Sequence, residues 1–192
     1  MIRMTGKLNV IIGSTRPGRA GPAVAEWAFR QAKSHGTFEA ELVDLAEFNL
    51  PLLDEPKHPR LRQYEHGHTK RWSESVGAAD AFLFVTPEYD YFTSAALVNA
   101  IQYLSVEWAY KPAAVVSYGG VSGGLRAAQE LRQLLGNVNV MAIPQTVPLP
   151  FFSKFLSEGK DFSPEPASFE GLKLALDELS KWSGALKPLR AS

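Results

Sequence analysis

The run Ala81-Phe-Leu-Phe-Val85 constrains this chain more than any other feature. Five consecutive apolar residues, held between Asp80 and the Thr86-Pro87 break, read as a strand buried on both faces of a sheet. Such a strand needs a covering layer on each side. Ala113-Ala-Val-Val-Ser117 repeats the pattern, so two central strands are expected. Leu8-Asn-Val-Ile-Ile12 predicts a first strand, Phe38–Val43 an alternating strand nearer an edge, and Val138–Ile143 a fifth. Helical periodicity fills the intervals, over Pro22–Ala32, Thr69–Ala79, Ser94–Val106, Gly123–Leu135 and Ser168–Leu186. Pro22 suits a first helical turn, with Val24, Trp27, Ala28 and Ala32 forming one apolar face behind it. Strand and helix in alternation predict an α/β fold, an open five-stranded parallel sheet with right-handed crossovers.

Composition narrows the function classes. A length of 192 residues predicts a single domain over 1–192. The chain has no cysteine, which excludes disulfides, thiol chemistry and thiolate metal sites. Twenty basic and 20 acidic residues cancel. They also divide evenly: residues 1–96 carry 11 basic and 12 acidic, and 97–192 carry 9 and 8. No basic stripe points to nucleic acid, and no acidic surface to a docking partner. The first apolar run, Leu8 to Ile12, is too short for a secretory segment, and no stretch reaches membrane-span length, so a cytoplasmic protein is expected. Pro51, Pro56 and Pro59 predict an irregular excursion over 46–65. Five prolines interleaved with Phe151, Phe152 and Phe155 predict a long apolar loop over 144–166, of the kind that serves as a lid or an interface or is disordered.

In open parallel sheets, ligands sit beyond the carboxyl ends of the strands, which directs attention to three turns. Gly13-Ser-Thr-Arg-Pro-Gly-Arg-Ala-Gly-Pro22 joins glycines, hydroxyls and two arginines to a helix start, a combination suited to an anion. Gly13 and Gly18 have the spacing of a P-loop, but Arg19 and Ala20 stand at the Lys and Ser/Thr positions, which removes the magnesium ligand and argues against ATP hydrolysis. The turn also lacks G-x-G-x-x-G. Its alternative reading is a basic turn without a ligand. Thr86-Pro-Glu-Tyr-Asp-Tyr-Phe92 places three aromatics at the end of a central strand, either as a platform for a flat ring or as core or subunit contacts. Ser117-Tyr-Gly-Gly-Val-Ser-Gly-Gly124 permits close backbone approach to a planar ligand, or simply a tight bend. His58, His66 and His68 lack metal-ligand spacing and read as surface residues. A phospho-receiver function would need an acidic pair where Gly13-Ser14 stands.

With these turns in order, the chain closely resembles the NADPH-dependent FMN reductase family of flavodoxin-like oxidoreductases, which includes quinone, azo-dye and chromate reductases. The resemblance spans roughly residues 7 to 143, through Gly13-Ser-Thr-Arg16, Thr86-Pro-Glu-Tyr-Asp90 with Ala96-Leu-Val-Asn-Ala-Ile101, and Lys111-Pro112 leading to Ser117-Tyr-Gly-Gly120. It implies a flavodoxin-like three-layer α/β/α sandwich with strand order 2-1-3-4-5, FMN at the switch point, NADPH or NADH as co-substrate and a homodimer or homotetramer. Carried over residue by residue, Ser14 and Arg16 with the loop amides through Gly21 hold the phosphate. Pro87, Glu88, Tyr89 and Asp90 line the ribityl chain and the ring, and the loop of Ser117, Gly119 and Gly120 meets the pyrimidine edge. Asp90 stands where the family usually has Asn, and Ala20 or Gly21 replaces a second phosphate-loop hydroxyl, for which Arg19 is the expected compensation.

The implied function is hydride transfer from NAD(P)H through FMN to a small-molecule acceptor: a quinone, azo compound, metal oxyanion or free flavin. The flavin supplies the chemistry, so no catalytic acid or base is assigned. The alternatives are a flavodoxin-like electron-transfer module, against which the zero net charge counts, and a flavin-binding regulatory protein without turnover.

Overall fold

Period-two alternation in the first and third strands builds the two faces of the sheet. In the computed structural model, which describes residues 6–158 and 161–190, β1 (Lys7–Ile12) sends Leu8, Val10 and Ile12 to one face and Ile11 to the other. With β2 defined as Glu39–Asp44, the third strand, β3 (Ala81–Pro87), sends Ala81, Leu83 and Val85 to the first face and Phe82 and Phe84 to the second. Every residue of β3 is buried. β4 (Pro112–Gly119) and β5 (Met141–Pro150) complete a parallel sheet of order β2-β1-β3-β4-β5, the order the resemblance implied. Only Val43 of β2 is buried, in keeping with its alternating sequence and edge position.

Helices α1 (Gly21–His35) and α6 (Pro166–Leu186) cover the first face, where Trp27 meets Phe162 and Phe169 edge-on at 5.8 and 5.5 Å. Between them in sequence come α2 (Leu45–Phe48), α3 (Gly67–Ala78), α4 (Ala95–Gln102) and α5 (Leu125–Asn137). The last three, α3 through Trp72 and Val76 among others, cover the second face together with Trp108, Tyr103 and Leu104. A buried polar side chain links the layers: Asn9, 1% exposed, donates to the Ser75 carbonyl at 3.0 Å and ties β1 to α3.

Two expectations need correction. The predicted loop over 144–166 begins as strand, because β5 runs on to Pro150. β5 is an edge strand, and its register against β4 shifts between the Ala113 and Val115 pairings, so Pro144 falls within the irregularity. Proline is compatible with edges and bulges because there its missing N–H breaks no ladder. Beyond Pro150 most of the aromatic residues pack inward: Phe162 is 2% exposed, and Phe152, Phe155 and Leu156 lie against the core, while Phe151 stays exposed. The helix expected to reach Val106 ends at Gln102. The carbonyls of Ala100 and Ile101 accept the indole N–H groups of Trp72 and Trp108, at 2.7 and 3.1 Å, and these two rings anchor the second core.

At the amino end of the sheet Lys111 is buried and donates to the Val76 and Gly77 carbonyls that end α3. Burial pushes its pKa down from 10.5 to about 8. Between those values the unfolded chain holds the extra proton, so stability rises with pH through that window. Relative to Lys111→Met, the wild-type protein should gain about 1–3 kcal/mol between pH 8 and 10 in urea unfolding. A pH-independent difference would contradict the burial of a strained charge at this position.

Candidate functional site

The three glycine-bearing turns lie side by side because their parent strands β1, β3 and β4 are neighbours in parallel register, with Ile12 beside Val85 and Thr86 beside Ser117. Hydrogen bonds join them into one edge. The Gly13 amide donates to the Val85 carbonyl at 2.9 Å, and the Ser94 hydroxyl at the start of α4 donates to the Gly13 carbonyl. The Glu88 amide donates to the Tyr118 carbonyl at 3.0 Å. The Tyr118 hydroxyl reaches across β3 to Ser14 Oγ at 3.3 Å, and burial pushes its pKa up to about 12.

In the first turn Thr15, Arg16, Pro17 and Gly18 are exposed, whereas Ser14 is fully buried. Ser14 folds over the start of α1, and a Cβ on Gly21 would come within 2.2 Å of its hydroxyl, so the close contact requires glycine there. Ala20 at the N-cap has no side-chain cap and the first turn of α1 has no acidic residue, leaving the helix start without an anion of its own. Arg19 is engaged elsewhere. Its guanidinium grips Asp44 with bonds of 2.7 and 2.5 Å and also donates to the Ser14 carbonyl. The Asp44 hydrogen bond outweighs burial and raises the Arg19 pKa. Asp44 also caps α2 through the Ala46 amide at 3.0 Å. Thus Arg19 shapes the loop from beneath while Arg16 lies on its open side, 5.6 Å from the Tyr89 ring centroid.

The second turn is a hairpin. Tyr89 and Phe92 exchange two backbone hydrogen bonds of 2.9 Å, and Asp90 and Tyr91 between them have φ of 49° and 76°. Positive φ at both central positions is the type I′ pattern. Aspartate is among the residues that tolerate that region, which suits Asp90 to this turn. A bulky residue such as Tyr91 is disfavoured there, and its ring stacks 3.8 Å from the Arg126 guanidinium. Thr86 and Thr93 close the base of the turn through their hydroxyls at 2.5 Å.

In the third turn Ser117 Oγ donates to the Gly123 carbonyl at 2.9 Å, and Gly124 adopts φ of 81°. A Cβ on Gly124 would lie 2.7 Å from the Tyr118 nitrogen, whereas one on Gly120 would meet nothing within 4 Å. Gly120 therefore presents its backbone to an open side, whereas Gly119 is packed against Gly124 and Glu88. Glu88 bridges the second and third turns: its carboxylate accepts from Ser122 Oγ at 2.9 Å, the Arg126 amide at 3.2 Å and Arg126 Nε at 2.7 Å. Burial pushes the Glu88 carboxyl up, but the Arg126 and Ser122 hydrogen bonds outweigh it and hold it below the ordinary value.

The structure thus gathers all eleven sequence-predicted residues along one edge and sorts them. Arg16, Asp90 and Gly120 are exposed, Tyr89 and Gly119 are half-buried beside them, and Ser14, Arg19, Gly21, Pro87, Glu88 and Ser117 build the walls. Sequence reasoning missed Asp44, Tyr118 and Arg126, whose partners lie 25, 104 and 38 residues away and leave no local spacing signal. The histidines stand apart: His66 and His68 stack at 5.2 Å and both face Asp54, while His58 caps the turn at Pro59–Leu61.

Comparison with known proteins identifies the family and the fold. The family model for NADPH-dependent FMN reductase matches residues 7–154. An NAD(P)H-dependent FMN reductase of Schizosaccharomyces pombe is 38% identical over 146 residues, covering 75% of this chain and 72% of that protein. An NADPH azoreductase of a Bacillus species is 36% identical over 145 residues, covering 74% and 76%. Among solved structures, the flavoenzyme NAD(P)H:(acceptor) oxidoreductase FerB of Paracoccus denitrificans superposes with a TM-score of 0.74 at 20% identity, covering 94% of this chain and 98% of that one, a likeness of fold.

Gly124→Ala should cost about 2 kcal/mol or more in chemical denaturation, because strain at positive φ adds to a backbone clash. Gly120→Ala should stay within about 0.5 kcal/mol of the wild-type protein. Equal costs for the two would contradict the turn geometry.

Proposed function

The chain belongs to the NADPH-dependent FMN reductase family, and on that premise we propose that its three-turn edge binds FMN and carries reducing equivalents from NAD(P)H to a small acceptor such as a quinone or an azo compound. Bound FMN supplies a two-electron centre that receives hydride from one substrate and gives it up to the next. The residues of this chain supply position and field.

The carrying observation is the first turn: a helix start with no cap and no acidic residue lies beneath an exposed loop bearing Arg16, next to two turns bonded into the same wall. A phosphate there meets the unpaired amides of the loop and α1 together with the Arg16 guanidinium. Ser14 contributes by holding the loop against Gly21 and Tyr118. Pro87, Glu88, Tyr89 and Asp90 would hold the ribityl chain and ring, and the backbone of the Ser117 to Gly120 segment would meet the pyrimidine edge, where the open side of Gly120 leaves room for a flat ring. In this reading Arg19 supports the loop through Asp44 and leaves the phosphate to Arg16.

The same opening serves NAD(P)H and acceptor in turn, as a ping-pong reaction requires. Tyr91 and Phe92, 62% and 58% exposed, flank it, and with Val121, Leu125 and Phe151 they form an apolar rim that supports a homodimer or homotetramer built around the site.

Arg16→Ala should weaken FMN about ten- to hundredfold in a flavin-fluorescence titration, the equivalent of losing about 1.5–3 kcal/mol of charge-assisted hydrogen bonding. Gly120→Ala should weaken FMN while leaving stability intact. Unchanged FMN affinity in both folded variants would overturn the placement.

A further inference from the structure

The Glu88 carboxylate raises a question that flavin binding alone does not answer. It is an ionised group with a side chain only 7% exposed, at the boundary between the two turns assigned to the flavin ring. A buried charge is costly unless paired, and here the partner is Arg126 in the first turn of α5, whose Nη2 lies 2.5 Å from Glu88 Oε1. The same guanidinium stacks on Tyr91, the residue with the least comfortable backbone of the hairpin. One arginine therefore neutralises the carboxylate, fixes the second turn to the third and holds a strained turn in place.

We propose, resting on the FMN reading above, that Arg126 is a positioning residue for the redox reaction: with Glu88 it forms a charge-neutral strut that sets the spacing of the ring-binding turns and shields the flavin from a buried negative charge. Reduction adds electron density to the flavin, so an uncompensated carboxylate nearby disfavours the reduced form and an uncompensated guanidinium favours it. As a neutral pair the strut leaves the potential close to what the backbone donors alone would set. The groups facing Glu88 are Ser122 and Arg126 from the third turn and α5, with Tyr91 from its own turn stacked on Arg126. Tyr118 stays protonated in the working range, its pKa pushed up to about 12, and Asp90 and Arg16 are exposed to solvent screening.

The sign of the response distinguishes this role from a merely structural one. The test is the two-electron midpoint potential of the FMN-loaded protein, by equilibration with a reference dye from pH 5.5 to 8.5, for wild type, Arg126→Gln, Glu88→Gln and the double variant. Arg126→Gln should lower the potential at pH 8 by about 30 mV, a tenfold change in relative affinity for oxidised and reduced flavin. That difference should shrink toward pH 5.5 as the unpaired carboxyl takes up a proton. Glu88→Gln should raise the potential, and the double variant should return close to wild type with no extra pH dependence. Loosening of the strut should also weaken FMN in each single variant.

Shifts of the same sign in the two single variants, or no shift in either with FMN bound, would overturn the proposal. If Arg126→Gln does not fold, the rise in Glu88→Gln and the return in the double variant decide it, and absence of either overturns it. Failure of the flavin placement itself is a separate result, read from FMN affinity in Arg16→Ala and Gly120→Ala.

Discussion

A strand buried on both faces can offer function only its ends, and β3 is such a strand along its whole length. Everything else follows from the need to cover it: α1 and α6 on one face, α3, α4 and α5 on the other, and β1 and β4 on its flanks. With both faces filled by helices and both edges paired, polar residues collect where the chain leaves the sheet. Three neighbouring parallel strands leave it at one edge, and the three turns so produced bond to one another.

Charge at that edge is arranged by the same logic. The fold places two arginine–carboxylate pairs in the walls, Arg19 with Asp44 and Arg126 with Glu88, and leaves Arg16 on the open side. A wall of neutral pairs adds little net field, so under the proposed placement a phosphate would meet one guanidinium, a helix start and backbone amides. In the proposed reading the hydride chemistry belongs to the cofactor, and the protein contributes position and a nearly neutral lining.

The legible parts of the sequence were those governed by burial. β3 and β4 appear as unbroken apolar runs because both faces are covered, and β2 as an alternation because it lies at an edge. β5 was read too short because its prolines suggest a loop unless the strand is known to be an edge with a register shift, which is a tertiary fact. The end of α4 was hidden for a similar reason, since it depends on indoles from Trp72 and Trp108 reaching its last carbonyls. At the site, the glycines and the aromatic turn announced themselves through local composition. Arg19 could be located but not assigned, because its partner Asp44 closes a contact from the far end of β2. Arg126 carried no signal, being one of many arginines on helices until the fold sets it against Glu88 and Tyr91.

The most direct test of the central claim, that this edge binds FMN and turns it over with NAD(P)H, is the visible absorption spectrum of the purified protein with added FMN, before and after NADPH under anaerobic conditions. The account predicts a spectrum perturbed from that of free flavin, bleached by NADPH and restored by a quinone. A flavin that binds but is bleached only by chemical reductants would contradict the reductase reading in favour of an electron-transfer module. A protein that leaves the FMN spectrum unchanged would show that the three turns keep the shape of a flavin site without its function.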